Sequence, residues 1–496
     1  MALTKVTYSM IEGAATSVLD YGADPTGATS SVAAFNAALA LGGTVYVPSG
    51  TYKLDSRVEL LVDGTTLWLA ADVTLNLSGV SATQSPFGNQ IHVYANNCAV
   101  IGSGPSSLLQ ITNGSQANAV GVLHHHGLTV SNITIDGDKA NGSAIADDTF
   151  MSGVSIVVTT AGGATEDVKA VVENCTIRNF LQYGINVYGD LASDIKIQNC
   201  TITDNGKAGD ALSVGAGIVC TRANSRIFIA NNTVNNNKFM GVFCSSAGED
   251  GTDWTITGNI CSGNGHNGIG FTENAIYFST ANVGLKNIAV TGNVCRDNGR
   301  SGIELSVDTV GFLKEFTITG NVCNDNTLNG IGLLCTNTAP QIVSDVIVLG
   351  NTCVNNGSDN QVAGDFCENI QGLLRPFTPF IRGSSSAGTA TYSAQNGAYI
   401  RVGQTVTFEL VLDWTGHTGT GSMEIAGFPY ASDAGEPGSQ FWAFADGLTI
   451  TGQATFGLTG GQTYGPVYYV NNGTAAPLAM DAAAALRVSG AYITPA

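Results

Sequence analysis

The sequence predicts an all-β protein: a right-handed parallel β-helix with a short N-terminal capping helix and a C-terminal antiparallel β-sandwich. Three observations predict it. Between Asn174 and Asn360 the chain repeats, aligning on Ile177, Ile202, Val234, Cys261, Cys295, Cys323 and Cys353 with steps of 25, 32, 27, 34, 28 and 30 residues, a period in the solenoid range. Each repeat opens with alternating apolar residues, and no intervening segment has helical periodicity or leucine-rich spacing, so the unit is a strand rather than a strand and helix. After about Gly372 the composition changes: no Cys follows Cys367, no Lys follows Lys314, and 16 of the 38 aromatic residues fall in the last 125 positions.

Composition narrows the function. Charged residues are 11% of 496, hydrophobic residues 44%, and 63 are Gly, a profile of a folded chain rather than a disordered one. The 38 acidic against 19 basic residues give a net charge of −19, which repels phosphate backbones and anionic lipid, so nucleic acid and membrane are not expected partners. The first residues, Met1 to Tyr8, form no apolar stretch, and no run of about 18 apolar residues occurs, so neither a signal peptide nor a membrane span is expected and synthesis in a cytosol follows. The eleven cysteines lack the close pairs of a zinc site and the density of a disulfide scaffold.

Taken in order, residues 1–17 read as a lead-in. Ser30–Leu41 reads as a helix with Val32, Phe35 and Leu39 on one side, followed by the strand Thr44–Val47, and a short helix across the first coil covers the open end of a solenoid. The β-helix with its cap spans 18–371, with clear coils over 170–360 and irregular ones upstream, as in Val58–Leu77 and Leu128–Ile135. In each clear coil Val172, Ile197, Ile229, Ile256, Val290, Ile318 and Val348 precede the anchor by five residues. Asn205, Asn237, Asn264, Asn298, Asn326 and Asn356 follow it by three, a ladder whose carboxamides bond between coils and whose residue type tolerates left-handed backbone. Gly184-Ile185, Gly241-Val242, Gly268-Ile269, Gly302-Ile303 and Gly330-Ile331 come eight past the anchor, with Gly217-Ile218 displaced by an insertion. The alternating Val406, Phe408, Leu410, Leu412 and Trp414 open the sandwich at 372–496.

The runs Val18-Leu-Asp-Tyr-Gly-Ala-Asp-Pro-Thr-Gly27, Ala33–Leu39 and Gly43-Thr-Val-Tyr-Val-Pro-Ser-Gly-Thr-Tyr52 resemble the N-terminal signature of the pectate-lyase-like superfamily, which includes rhamnogalacturonase-type enzymes and phage tailspike depolymerases. Ser30-Ser31 departs from it where many members carry an acid. The run Gly421-Ser-Met-Glu-Ile-Ala-Gly-Phe-Pro-Tyr430 resembles the C-terminal module of phage tail fibres and tailspikes, and Lys5–Ile11 is similar to a tail-protein lead-in. The resemblance implies a polysaccharide substrate, a homotrimer, trimerisation or glycan contact through the sandwich, attachment to a phage tail protein, and a virion location. A prophage-encoded bacterial protein fits as well.

A β-helix flank offers outward side chains about 4.8 Å apart on successive coils, which suits an extended polymer. Glycoside hydrolysis needs two carboxyl groups, about 5 Å apart for retention and about 6.5–9.5 Å for inversion. The candidates are Glu273, Glu304 and Asp308: Glu304 alternates outward between Ile303 and Leu305, Asp308 follows it, and Glu273 lies in the insertion Thr272–Lys286. Tyr188, Phe243 and Tyr277 supply aromatic platforms and Arg222 a cation on the same face. Asp204, Asp297 and Asp325 sit beside the asparagine ladder and read as turn residues, while His124-His125-His126 reads as a polar patch on a strand. Lys238, His266 and Asp210 are reserve acid–base groups. No metal or cofactor is expected. The expected activity is endo-hydrolysis of a bacterial surface polysaccharide; β-elimination of a uronic-acid polymer using Arg222, Lys238 or Tyr188, and glycan binding without catalysis, are the alternatives.

Overall fold

The computed structural model describes residues 15–80, 88–112, 117–141, 151–158, 167–206, 215–222, 225–247, 250–265, 276–281, 284–307, 311–335, 341–358, 361–363, 367–435, 439–450 and 452–495. The lead-in motif Lys5–Ile11 lies outside them. The chain divides into two compact units, residues 1–369 and 370–496.

The first unit winds as a solenoid of three parallel sheets with 13, 12 and 11 described strands, in which each strand pairs with its equivalents one coil earlier and one coil later. The seven anchors lie in one column of the second sheet, Ile177 against Ile202, Val234, Cys261, Cys295, Cys323 and Cys353 in turn, and all but Cys353 are buried. The cysteines are small apolar filler. Cys220 opposes Cys244 in the third sheet, and burial pushes the Cys220 thiol up to about 12, so it stays protonated.

Two interior asparagine ladders hold the coils in register. In the expected one, Asn205, Asn237, Asn264, Asn298, Asn326 and Asn356 are linked by Nδ2–H donation to the next Oδ1 at 2.9–3.1 Å. A second, two residues before the anchor, joins Asn232, Asn259, Asn293, Asn321 and Asn351 at 2.9–3.0 Å. The sequence analysis expects left-handed backbone at the ladder asparagines themselves, and none of them adopts it. That conformation belongs to the residue just before each, such as Asp204, Asn231, Asn236, Asp297, Asp325 and Gly258. Asp204, Asp297 and Asp325 are therefore turn residues.

The capping helix is Val32–Leu39, with Ala34, Phe35, Ala38 and Leu39 buried; it starts later than expected because Thr26–Ser30 is a strand. Asn36 accepts from the Glu59 amide at 3.0 Å and so seats the helix on the first strand of the third sheet, Val58–Leu60. The Asp-Pro-Thr stretch has a local role: the Asp24 carboxylate accepts from the backbone and hydroxyl of Thr26 and of Thr29, which holds it well below the usual carboxylate range. At the position where the family signature carries an acid, Ser30 donates to Asp55 and Ser31 accepts from the Asp24 amide.

The second unit is a ten-stranded antiparallel sheet that curls around one core, nine strands on one path and the tenth, Thr474–Pro477, paired beside Tyr464–Asn471. Phe408, Phe428, Phe441, Phe456 and Tyr492 pack edge-on or stacked at its centre. No helix among the described residues is long and apolar enough to cross a membrane.

The ladder makes a stability prediction. Asn293→Ala removes the acceptor of the Asn259 amide and carboxamide and the donor to Ile256 and Asn321. Unmet buried groups cost about 1–3 kcal/mol each, so denaturant unfolding should show a loss of about 3 kcal/mol, against less than about 0.5 kcal/mol for the exposed Thr352→Ala.

Candidate active site

Alternation along the third sheet sorts its residues between core and flank. Inward lie Ile91 and Val93, Val154 and Ile156, Ile185 and Val187, Ile218 and Cys220, and Ile303 and Leu305, all buried. The residues between them face away from the core and line up coil by coil. One outward column runs His92, Gly121, Ser155, Asn186, Val219, Phe243, Tyr277, Glu304 and Gly332. A parallel one carries Leu123, Val157, Tyr188, Thr221, Ser245, Ser279, Ser306 and Leu334.

The register thus gathers Tyr188, Phe243, position 277 and Glu304 on one face. Arg222, directly after the strand Ala216–Thr221 and in left-handed backbone, lies over the Tyr188 ring at 4.7 Å. Phe243 packs on Ala216, Val219, Phe239 and Met240. Lys238 sits 5.5 Å over the Phe239 ring. Glu273, Asp308, His266 and Asp210 lie outside the described residues, as does the Tyr277 side chain.

Glu304 points away from the core yet is only 1% exposed, unlike the open acid that alternation alone suggests. Its Oε2 accepts from Arg300 Nε at 3.0 Å and from Ser301 Oγ at 2.8 Å. The side chains of the preceding turn fold over it, so facing outward and meeting solvent are separate properties here. Both neighbours donate to the same carboxylate oxygen.

Four coils toward the N-terminus the same column turns polar and neutral. His92, Ser155 and Asn186 are buried, and His92 Nε2, Ser155 Oγ and both polar atoms of the Asn186 side chain have no hydrogen-bond partner among the described residues. A relay orients the imidazole: the Ser152 amide donates to Asn118 Oδ1, Asn118 Nδ2 to Asn89 Oδ1, and Asn89 Nδ2 meets His92 Nδ1 at 3.0 Å. With Nδ1 accepting, Nε2 carries the proton. Burial, helped by Arg57 and His125, pulls the His92 pKa down to about 3. Such unmet groups call for water or a hydroxyl-bearing ligand. Sequence reading missed this row because 142–150 and 159–166 interrupt the period; counting coils back from Glu304 along the column finds it. The His124–His126 run is a turn rather than part of a strand, since Asn118–Leu123 ends before it and His124 is left-handed.

The His92 environment predicts a pH dependence. Between pH 6.5 and about 3 the unfolded chain takes up a proton that folded His92 refuses, so stability falls as the pH drops through that window. Melting curves from pH 3.5 to 8 should show the gap between parent and His92→Gln shifting in favour of the variant below pH 6.5. Parallel curves would contradict the assignment.

Comparison with known proteins agrees with this architecture. The sequence matches the family described as right handed beta helix region over residues 78–249 and, overlapping, 118–284. No curated protein matches it. Among solved structures, the Dettilon tailspike protein superposes with a TM-score of 0.60 at 13% identity, covering 97% of this chain and 94% of that one. PfbA, a surface adhesin of Streptococcus pneumoniae, superposes with a TM-score of 0.50 at 17% identity, covering 78% of this chain and 97% of that one. At these identities the likeness is one of fold.

Proposed function

We propose that the protein acts on polysaccharide, and specifically that it is an endo-acting hydrolase of a bacterial surface glycan working through carboxyl groups on the flank of the third sheet. The observation that carries the reading is the outward column in which Phe243, position 277 and Glu304 follow one another on adjacent coils, about 4.8 Å apart. Aromatic positions and a carboxylate in line along a flank suit a sugar chain lying across the coils. The likeness in fold to a tailspike over nearly the whole chain supports the same direction.

In this reading Glu304, held by Arg300 and Ser301, serves as base or nucleophile, or faces the positive charge that develops on the sugar ring. Glu273 or Asp308 supplies the general acid. Tyr188, four coils away, and Arg222, three coils away, bind the chain.

Two observations favour rival readings. The near-complete burial of Glu304 in an ion pair suits a flank that only holds glycan. The cation of Arg222 over the phenol ring of Tyr188 suits β-elimination of a uronate. Assembly as a homotrimer and attachment to a phage tail belong to the proposal, since they follow from the tailspike resemblance.

The deciding measurement incubates the purified protein with capsular and O-antigen polysaccharides and follows new reducing ends and unsaturated-uronide absorbance together. Hydrolysis gives reducing ends without absorbance; both signals mean elimination, and neither, with retention on the polymer, means binding alone. Glu304→Gln should lower turnover at least 100-fold while far-UV dichroism and the melting temperature stay near the parent's, and Glu273→Gln or Asp308→Asn should do likewise. Full turnover in all three displaces the site. Light scattering should give three times the chain mass.

A further inference from the structure

We infer that the C-terminal unit carries a second, separate glycan-binding site on the outer face of its curled sheet, built around Trp442 and Phe444. The strands Ala390–Val402, Thr405–His417, Ala484–Ile493 and Gln440–Asp446 lie side by side in that order. Phe441 and Ala443 point into the core with Leu410, Leu486 and Val488, so the alternate residues of the same strand point out. Trp442 and Phe444 are each 65% exposed, which is unusual for two large rings on one strand face.

They are not an isolated greasy strip. Register places Asn396, Val411, Arg487 and Phe444 in one row across the sheet, and Ala398, Glu409 and Ser489 in the next, with Trp442 two residues before Phe444 on its strand. These residues, with Gln453, line a groove of about 840 Å³, within the roughly 300–1,000 Å³ typical of small-ligand sites. Arg487 lines it with a half-exposed side chain, 3.7 Å from the Asp413 carboxylate.

The lining selects the ligand class. Two ring faces need a flat apolar partner, while Glu409, Arg487, Asn396 and Gln453 offer acceptors and donors of both charge signs around them. A pyranose meets both demands at once, with a C–H face for the ring and equatorial hydroxyls for bidentate carboxylate, guanidinium and carboxamide bonds. A nucleic acid strand also stacks, but the Glu409 carboxylate in the groove and the net charge of −19 repel it. A protein partner needs a contact of about 800 Å² per side, whereas this lining is one concave groove of small-ligand size. The occupant is a stretch of a few sugar units, and the site is independent of any chemistry at Glu304.

The test is affinity electrophoresis of the full chain in gels containing dextran, a purified O-antigen polysaccharide or a purified capsular polysaccharide. The parent should be retarded by at least one, and Trp442→Ala and Phe444→Ala should each weaken that retention at least tenfold. The exposed solenoid variant Thr352→Ala should leave it unchanged, and Trp442→Ala should release reducing ends from short oligosaccharide fragments at the parent's rate. Melting temperatures within a few degrees of the parent's establish that the variants fold, as expected for exposed positions. Retention equal to the parent's in both aromatic variants overturns the inference, and so does a parent retarded by none of the three polymers. A fall in oligomeric mass on Trp442→Ala, read by light scattering, overturns it too, because the face then joins copies of the chain.

Discussion

A coil of this solenoid turns sharply inside the protein, and each such turn leaves backbone amides and carbonyls that no sheet can pair. The stacked asparagines meet that demand. Past the first member of each ladder, Oδ1 accepts an amide and a carboxamide from the coil before, as Asn293 does from Asn259, and Nδ2 also closes on a backbone carbonyl, as Asn293 does on Ile256. The bonds run along the stacking axis, so they fix the register between coils as well as satisfying the turn. Everything on the flank depends on this, because a slip of one residue moves a strand's whole outward set to the inside. The left-handed residue before each asparagine aims the carboxamide inward, which is why Asp, Asn and Gly share that position in Asp297, Asn231 and Gly258.

With register fixed, the flank of the third sheet becomes a set of columns with definite composition. Its C-terminal part is aromatic and acidic, with Phe243 and Glu304 in line. Its N-terminal part is neutral and hydrogen-bonding, with His92, Ser155 and Asn186. His92, held neutral by burial, adds no charge to this part of the column. The two stretches therefore differ in character: one carries a carboxylate, and the other carries neutral hydrogen-bonding groups.

Most of the winding was legible in the sequence, because its cause is periodic. Anchors, ladder asparagines and the Gly-Ile pairs recur at fixed offsets, and a fixed offset is a spatial column in a solenoid. The second ladder was equally visible at Asn232, Asn259, Asn293, Asn321 and Asn351, yet Cys175 and Cys200 stand at that position in the earlier coils and mask it. Exposure was not legible. Alternation sets which way Glu304 points, but its burial comes from Arg300 and Ser301 in the preceding turn, a contact with no period. Nor was the left-handed position, since Asp-Asn and Asn-Asn pairs leave open which member takes it; the bond to the next coil decides.

Under the proposed function, the two units meet the sugar from opposite physical starting points. On the solenoid flank the spacing is given by the sheet, one residue per coil, and chemistry enters by choosing side chains for consecutive positions of a column. On the curled sheet of the second unit the spacing is across antiparallel strands, and Trp442 and Phe444 stand two residues apart on one strand with Arg487 and Glu409 on its neighbours. A column aligns groups along an extended polymer and favours action at a defined point of it. A small groove with two rings grips a few units without ordering the rest, which favours retention. Under the proposed function, a chain that stays on a polymer while cutting it uses both, and the residue types divide between the units in that way: the acid lies in an ion pair on the solenoid, the exposed rings on the open sheet.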